Sequence, residues 1–290
     1  MDFLVTLING LSLGGVYAMI ALGYTMVYGI AKMLNFAHGD IIMVGGYAIL
    51  VSLSANLSPI FGIVAAIIFC SVLGVTVEKV AYKPLRGASP LAVLITAIGV
   101  SYFLQSLAQI IFGAAPKFVI VADLGNLKLG VLSISYATLI TLVCSMVIMV
   151  ALSLFVKFTK IGRAMIAVSE DKDAARLMGV NVNFIIMLTF AIGSALAAIA
   201  GLFSLMRVPT IMPTYGALPG IKAFTAAVIG GIGSIPGAML GGILLGVVEC
   251  LCNSVSVLAP YTIAIEFSIL IIILLVKPTG ILGKKRREKV

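Results

Sequence analysis

The sequence predicts an all-helical bundle that crosses a membrane about eight to ten times, since each helical span needs about 20 apolar residues. Of its 290 residues, 62% are hydrophobic and only 10% are charged, whereas a soluble domain carries about 25% charged residues. No soluble core buries this much apolar surface. The uncharged runs lack alternation of polar and apolar residues, which excludes a β-barrel, and lipid then leaves only helices. This composition excludes a soluble enzyme, a nucleic-acid-binding module and a disordered protein.

The uncharged runs predict the helices in chain order. The runs are Phe3–Ala31, Ile41–Val77, Gly87–Pro116, Leu129–Val156, Phe184–Met206, Ala223–Val248, Cys250–Ile265 and Phe267–Val276. Glycine, proline and polar residues divide the long ones: Ser52–Pro59 breaks the second run and Gly230–Gly237 the sixth. Residues 253–260 separate the last two helices. The short segments near residues 41–53 and 221–232 either line a substrate path or are tilted short helices without such a role.

The positions of Lys and Arg predict the orientation. When the loop at residues 157–183 and the tail at residues 277–290 are both cytoplasmic, 15 of the 19 basic residues lie inside, as the positive-inside rule requires. The other four are Lys117, Lys128, Arg207 and Lys222. We expect the N-terminus outside and the C-terminus in the cytoplasm. The net charge of +9 is then a sign of topology, and no nucleic-acid surface is expected.

The charged loop at residues 157–183 predicts a short helix. Ser169 is expected as its N-cap, with Glu170 and Asp171 in the first turn, where the helix dipole favours negative charge. Gly179 suits its left-handed end. Its apolar face would consist of Ala174, Ala175, Leu177 and Met178. Because anionic lipid repels the acidic residues, docking onto a soluble partner is favoured over lying on the membrane.

Several motifs along the chain carry a resemblance to a known family of membrane proteins. Residues 173–179 (DAARLMG) look like the EAA-x3-G loop of ABC importer permeases, with Asp173 in place of the Glu. The resemblance covers nearly the whole chain in the same order. The other matching motifs are GLSLGGVYAMIALGYTMVYG at 10–29, NFAHGD at 35–40, GRAM at 162–165 and GGIGSIPGAMLGG at 230–242. Together these motifs resemble those of the permease subunits of high-affinity branched-chain amino-acid ABC importers, the LivH type.

The resemblance implies a single transmembrane permease domain over residues 1–290, with two pseudo-symmetric halves, in a bacterial inner membrane. It implies import of Leu, Ile or Val together with a second permease of the LivM type, two ATP-binding subunits and an extracytoplasmic substrate-binding protein. The loop would form the coupling helix that docks on an ATP-binding subunit. Residues expected in this coupling are Gly162, Arg163, Glu170, Asp173, Ala174, Ala175, Arg176 and Gly179.

Nothing in the sequence predicts that this chain binds nucleotide. The phosphate-binding pattern G-x4-GK[ST] is absent from it. We therefore expect ATP and Mg²⁺ on the partner subunits, no cofactor or metal on this chain, and no enzymatic activity of its own. The four cysteines are expected to behave as small hydrophobic side chains.

Five polar residues in or near the apolar runs are candidates for the translocation path or a gate: Asn35, His38, Asp40, Glu249 and Glu266. Carboxylates inside apolar helices are costly and indicate function by default. Glu249 and Glu266 are expected toward the outer ends of their helices. There they would pair with outer basic residues, dock the binding protein or meet the ammonium group of an amino acid. His38 and Asp40 have a plainer alternative, in which they cap a helix beginning near Ile41.

Glycines spaced four apart predict close helix packing, because small residues then share one helical face. They are Gly193 and Gly201 in one helix and Gly233, Gly237 and Gly241 in another.

Two functional alternatives remain open. One is an ABC permease for urea, short amides or another small solute. The other is an ion-coupled secondary transporter or channel, with Glu249, Glu266 or Asp40 as the coupling carboxylate. The loop that resembles the EAA motif favours the ABC permease, because a secondary transporter has no need of it.

Overall fold

The computed structural model describes residues 2–122, 124–129 and 132–283, and the predicted polytopic helical bundle is confirmed. Over these residues, seven helices are long and apolar enough to cross a membrane, and two shorter apolar helices, α2 and α9, lie between them. The predicted basic tail lies outside the described residues from 284 onward. The helices are α1 (Asp2–Ala31), α2 (His38–Ser54), α3 (Pro59–Val77), α4 (Pro90–Phe112), α5 (Tyr136–Phe158), α6 (Lys160–Glu170), α7 (Lys172–Leu177), α8 (Val182–Arg207), α9 (Ala217–Gly230), α10 (Ile235–Ser254) and α11 (Thr262–Val276).

The predicted helix breaks are confirmed, and local capping explains two of them. Between α2 and α3, the side chain of Ser58 accepts a hydrogen bond from the backbone of Phe61, and proline takes the first helical position. Ser234 caps α10 in the same way, accepting from the backbone N–H of Gly237 at 3.2 Å. The turn before α10 contains Gly233 with φ +92°, a conformation that costs glycine little.

The charged loop forms two helices, and the predicted cap at Ser169 is wrong. Ser169 lies in the last turn of α6, where its hydroxyl donates to the carbonyl of Ile166 at 2.7 Å. The chain leaves the helical conformation at Asp171, and its carboxylate accepts from the N–H groups of Asp173 and Ala174, both at 3.0 Å. One carboxylate thus satisfies two free donors at the start of α7.

The two ends of the bundle carry different structures. At one end, called here the α7 end, Nζ of Lys172 donates to the carbonyl of Ala31, the last residue of α1, at 2.9 Å. At the other, called the strand end, Arg207 donates to the carbonyl of Asn9 near the start of α1 at 3.1 Å. Two antiparallel strand pairs lie at the strand end: β1 (Lys117–Phe118) with β4 (Thr210–Ile211), and β2 (Asn126–Leu129) with β3 (Leu132–Ser135).

Helix α1 lies at the centre and packs against α5, α8, α9 and α10. Its contact with α10 is backbone to backbone. A Cβ placed on Gly14 would lie 2.6 Å from Cα of Ile243, and one placed on Gly10 would lie 2.9 Å from Cα of Val247. Small residues thus permit the close approach that holds helices together in lipid.

Helices α2 and α9 begin inside the bundle and meet by their N-termini. A Cβ on Gly39 would lie 2.6 Å from the carbonyl oxygen of Gly216, and one on Gly220 would lie 2.9 Å from Cα of Gly39. From this meeting point α2 runs to the strand end, where Gly46 contacts Ile211 of β4. Helix α9 runs to the α7 end. The two short helices therefore point in opposite directions from the middle of the bundle.

Candidate functional site

The α6–α7 segment contains the eight residues predicted to couple to an ATP-binding subunit, and two of them are buried. Gly162 lies against the backbone of Phe155 and Val156, where no side chain fits, so α6 folds back closely on α5. Ala175 is buried where α7 meets α8. The other six are Arg163, Glu170, Asp173, Ala174, Arg176 and Gly179, all of them exposed.

The tip of α7 exposes two large apolar side chains. Leu177 is 89% exposed and Met178 is 84% exposed. Gly179 has φ +82°, as predicted for the left-handed end, and Val180 donates to the carbonyl of Ala175 at 3.0 Å, which completes a Schellman turn. This turn holds both side chains away from the bundle. Leu177 and Met178 thus form a small exposed apolar patch at the tip of α7.

Polar contacts join the α6–α7 segment to the start of the bundle. The bond from Lys172 to Ala31 ties α7 to the end of α1. Partial burial and the nearby Arg86 guanidinium lower the pKa of the Lys172 ammonium. Arg86 in turn pairs with Glu78, in a π-helical turn after α3, and donates to Asn183 at the start of α8.

Asn35 is held in this same region. It is buried in the non-helical stretch between α1 and α2, and its Oδ1 accepts from the hydroxyl of Tyr82 at 2.8 Å. Tyr82 ends the π-helical turn that contains Glu78. This path candidate therefore anchors the break between α1 and α2 to the α7 end of α3.

His38 and Asp40 lie inside the bundle at the start of α2, which begins at His38, three residues before the predicted start near Ile41. The His38 ring packs edge-on against Tyr24, with ring centroids 4.8 Å apart. Asp40 is buried and accepts from Nε2 of Gln105 at 2.8 Å. Neither side chain caps α2, because the capping position is Ala37.

Glu249 and Glu266 meet in a buried ion cluster with Lys222 and Tyr17. Nζ of Lys222 lies 2.8 Å from Oε1 of Glu249 and 3.3 Å from Oε1 of Glu266. The Tyr17 hydroxyl donates to Oε2 of Glu249 at 2.8 Å. The ammonium of Lys222 also lies 5.9 Å from the centroid of the Tyr17 ring, within the range of a cation–π contact.

Sequence reasoning anticipated a basic partner for these carboxylates but missed the cluster. Lys222 was expected outside the membrane, yet it is 9% exposed and lies within α9. Its signal in the sequence was a lone lysine between apolar stretches at the start of a short helix. Tyr17 gave no signal, because a tyrosine in an apolar run is ordinary.

The predicted packing glycines differ in what they contact. Gly193 faces Gly23 of α1, and Gly201 faces the carbonyl of Ile42. Gly237 and Gly241 lie against the end of α9, at Gly230 and Ala226. Gly233 precedes α10 and belongs to the turn, so it shares no helical face with the other two.

Over the described residues, no group of three or more His, Cys, Asp or Glu side chains is arranged to hold a metal ion.

Comparison with known proteins identifies the family. Residues 6–275 match the family model described as branched-chain amino acid transport system / permease component. The chain is 45% identical to the high-affinity branched-chain amino acid transport system permease protein BraD of Pseudomonas aeruginosa, over 99% of this chain and 98% of that protein. It is 41% identical to LivH of Escherichia coli K12, with the same coverage.

The fold is shared with a solved structure, PsaBC from Streptococcus pneumoniae in complex with Fab. The TM-score is 0.55 at 16% identity, and the match covers 93% of this chain and 91% of that one. The helical bundle, the family model and the full-length relatives agree. The chain belongs to the permease components of branched-chain amino acid transport systems.

Proposed function

We propose that this chain is one of two permease subunits of an ABC importer that carries Leu, Ile or Val into the cytoplasm. Its partners would be a LivM-type permease, two ATP-binding subunits and an extracytoplasmic substrate-binding protein. Relatives of 41 and 45% identity that carry this function in their names support the substrate class. ATP and Mg²⁺ would be bound by the partner subunits.

The observation that carries the proposal is the exposed apolar pair at the tip of α7. Leu177 and Met178 project from a short, capped helix that is tied to the ends of α1 and α8. An apolar knob of this kind fits a groove on a soluble subunit. Closure of the ATP-binding subunits would move α7, and the bond from Lys172 to Ala31 would pass the movement to α1.

The proposal places the α7 end in the cytoplasm and the strand end outside. Basic residues support this orientation, because they are concentrated at the α7 end. Those at the α7 end include Lys79, Lys83, Arg86, Lys157, Lys160, Arg163, Lys172 and Arg176. The strand end would then face the substrate-binding protein.

A substitution at the tip of α7 tests the docking. Leu177→Asp introduces a charge into the proposed apolar contact, and we expect it to weaken binding of the ATP-binding subunits about tenfold to a hundredfold, as loss of a buried leucine at an interface does. Co-purification and leucine uptake into proteoliposomes measure the loss. The matched control is Lys160→Asp, which adds an aspartate at the exposed start of α6 and should change neither measurement. Equal behaviour of the two variants would reject α7 as the docking site.

A second experiment separates the ABC permease from the ion-coupled alternative. The chain alone, in vesicles with a proton or sodium gradient, should move no leucine. The complete complex should take up leucine only when ATP is present. Gradient-driven uptake by the chain alone would reject the proposed function.

A further inference from the structure

One carboxylate oxygen in the buried ion cluster accepts no hydrogen bond from the other members of the cluster. Glu266 is 1% exposed, and only one of its two oxygens contacts Lys222. The other, Oε2, is buried and has no hydrogen-bond partner among the described residues. A buried carboxylate oxygen without a donor is costly, so this oxygen is suited to a donor that the chain itself does not supply.

The cluster is also built around an ammonium group. Two carboxylates from different helices, Glu249 and Glu266, hold the Lys222 ammonium beside the face of Tyr17. The α-ammonium of an amino acid has the same charge and the same three donors as the side chain of lysine. A pair of carboxylates beside an aromatic ring therefore binds either group by the same contacts.

A guanidinium group suited to the carboxylate of an amino acid lies near the ion cluster. Gly10 packs against Cys250, the residue after Glu249, and Arg207 donates to Asn9, the residue before Gly10. Arg207 is therefore on the strand-end side of the cluster. One guanidinium donor is used by the Asn9 carbonyl, and the fork has further donors that match a carboxylate.

We propose that Glu249 and Glu266 form a binding site for the α-ammonium group of the transported amino acid. Between transport events, the side-chain ammonium of Lys222 occupies this site. Arg207 receives the carboxylate of the same amino acid. A zwitterion adds no net charge to the buried cluster, whereas a simple cation or anion does. This inference rests on the proposed function and adds to it the place where the substrate is recognised.

The competing explanation is structural. Thr262 and Glu266 are the buried residues of α11, so the ion pairs would serve only to attach α11 to the bundle. In that case each buried charge would serve only to neutralise the opposite charges beside it. Lys222→Met would leave two carboxylates without a cation, whereas Lys222→Met/Glu266→Gln leaves only Glu249, which keeps its hydrogen bond from Tyr17.

A set of variants in the complete importer separates these explanations. The importer is reconstituted in proteoliposomes with its substrate-binding protein, and uptake of labelled leucine and thermal stability are measured for each variant. Glu266→Gln should lower uptake about tenfold to a hundredfold, as expected for a lost charge-assisted hydrogen bond. Lys222→Met should retain much more uptake than Glu266→Gln, because the amino acid itself supplies the ammonium. The matched control is Thr262→Val, which removes the bond from α11 to Asn253 and should leave uptake unchanged.

The double variant Lys222→Met/Glu266→Gln decides the question even where a single variant folds poorly. The proposal expects it to be more stable than Lys222→Met, because one of the two carboxylates without a cation is gone, while uptake stays as low as in Glu266→Gln. Recovery of both stability and uptake would overturn the proposal and leave a structural ion pair. Unchanged uptake in Glu266→Gln would overturn it as well. An unmodified complex that takes up no leucine would instead contradict the proposed function, so the two failures are distinguishable.

Discussion

The contact between α1 and α10 predicts how the bundle responds to a single added methyl group. In Gly14→Ala, the new Cβ would lie 2.6 Å from Cα of Ile243, which is 0.8 Å short of the 3.4 Å at which ordinary contacts begin. The neighbouring atoms are backbone of α10, so no side chain can turn away. The two helices must separate, and overpacking of this kind costs about 1–3 kcal/mol.

The matched control is Gly99→Ala in α4, where nothing lies within 4 Å of the new Cβ. Both changes bring the same gain in helix propensity, about 1 kcal/mol, so the difference between the variants isolates the packing cost. Thermal unfolding of the detergent-solubilised chain measures it. We expect Gly14→Ala to melt several degrees below Gly99→Ala, which should itself melt at or slightly above the unchanged chain. Equal melting temperatures for the two variants would refute the argument that backbone contact holds α1 to α10.

Three further predictions concern the α7 end. Tyr82→Phe removes the bond to Asn35 and should cost about 1–2 kcal/mol, seen as faster hydrogen exchange in the stretch between α1 and α2; exchange at the unchanged rate would show that the bond does not hold this break. Asp171→Ala removes the α7 cap and should cost about 0.5–2 kcal/mol, with exchange rising in α7 but not in α6. Ala175→Glu places a charge where α7 meets α8 and should uncouple ATP hydrolysis from leucine uptake without removing the chain from the membrane; normal coupling in this variant would contradict the assigned role of α7.

Local signals in the sequence predicted most of the helices and their breaks. The composition requires helices. The breaks at Ser52–Pro59 and Gly230–Gly237 follow from glycine, proline and polar residues, whose effect on the backbone is local. The cap of α7 was misplaced by two residues because Ser169 and Asp171 have nearly equal capping propensity. Only the extended backbone at Asp171 decides between them.

Long-range contacts were beyond sequence reasoning. Tyr17 and Glu249 are separated by 232 positions, and nothing local to either predicts their bond. Lys222 was expected outside the membrane because a lysine inside it is costly. Its burial depends on carboxylates from two other helices, and these become its neighbours only when α9, α10 and α11 pack together.

The close contact between α2 and α9 limits where a transported amino acid can pass. At the middle of the bundle, glycine backbones of the two helices approach so closely that a methyl group does not fit between them. A branched side chain of four carbons has no room there, and α1 is in equally close contact with α10. These contacts close the space between α2 and α9 and between α1 and α10 at the glycines concerned. In the proposed importer the amino acid would pass beside these contacts, and the second permease subunit would supply the opposite wall of its route.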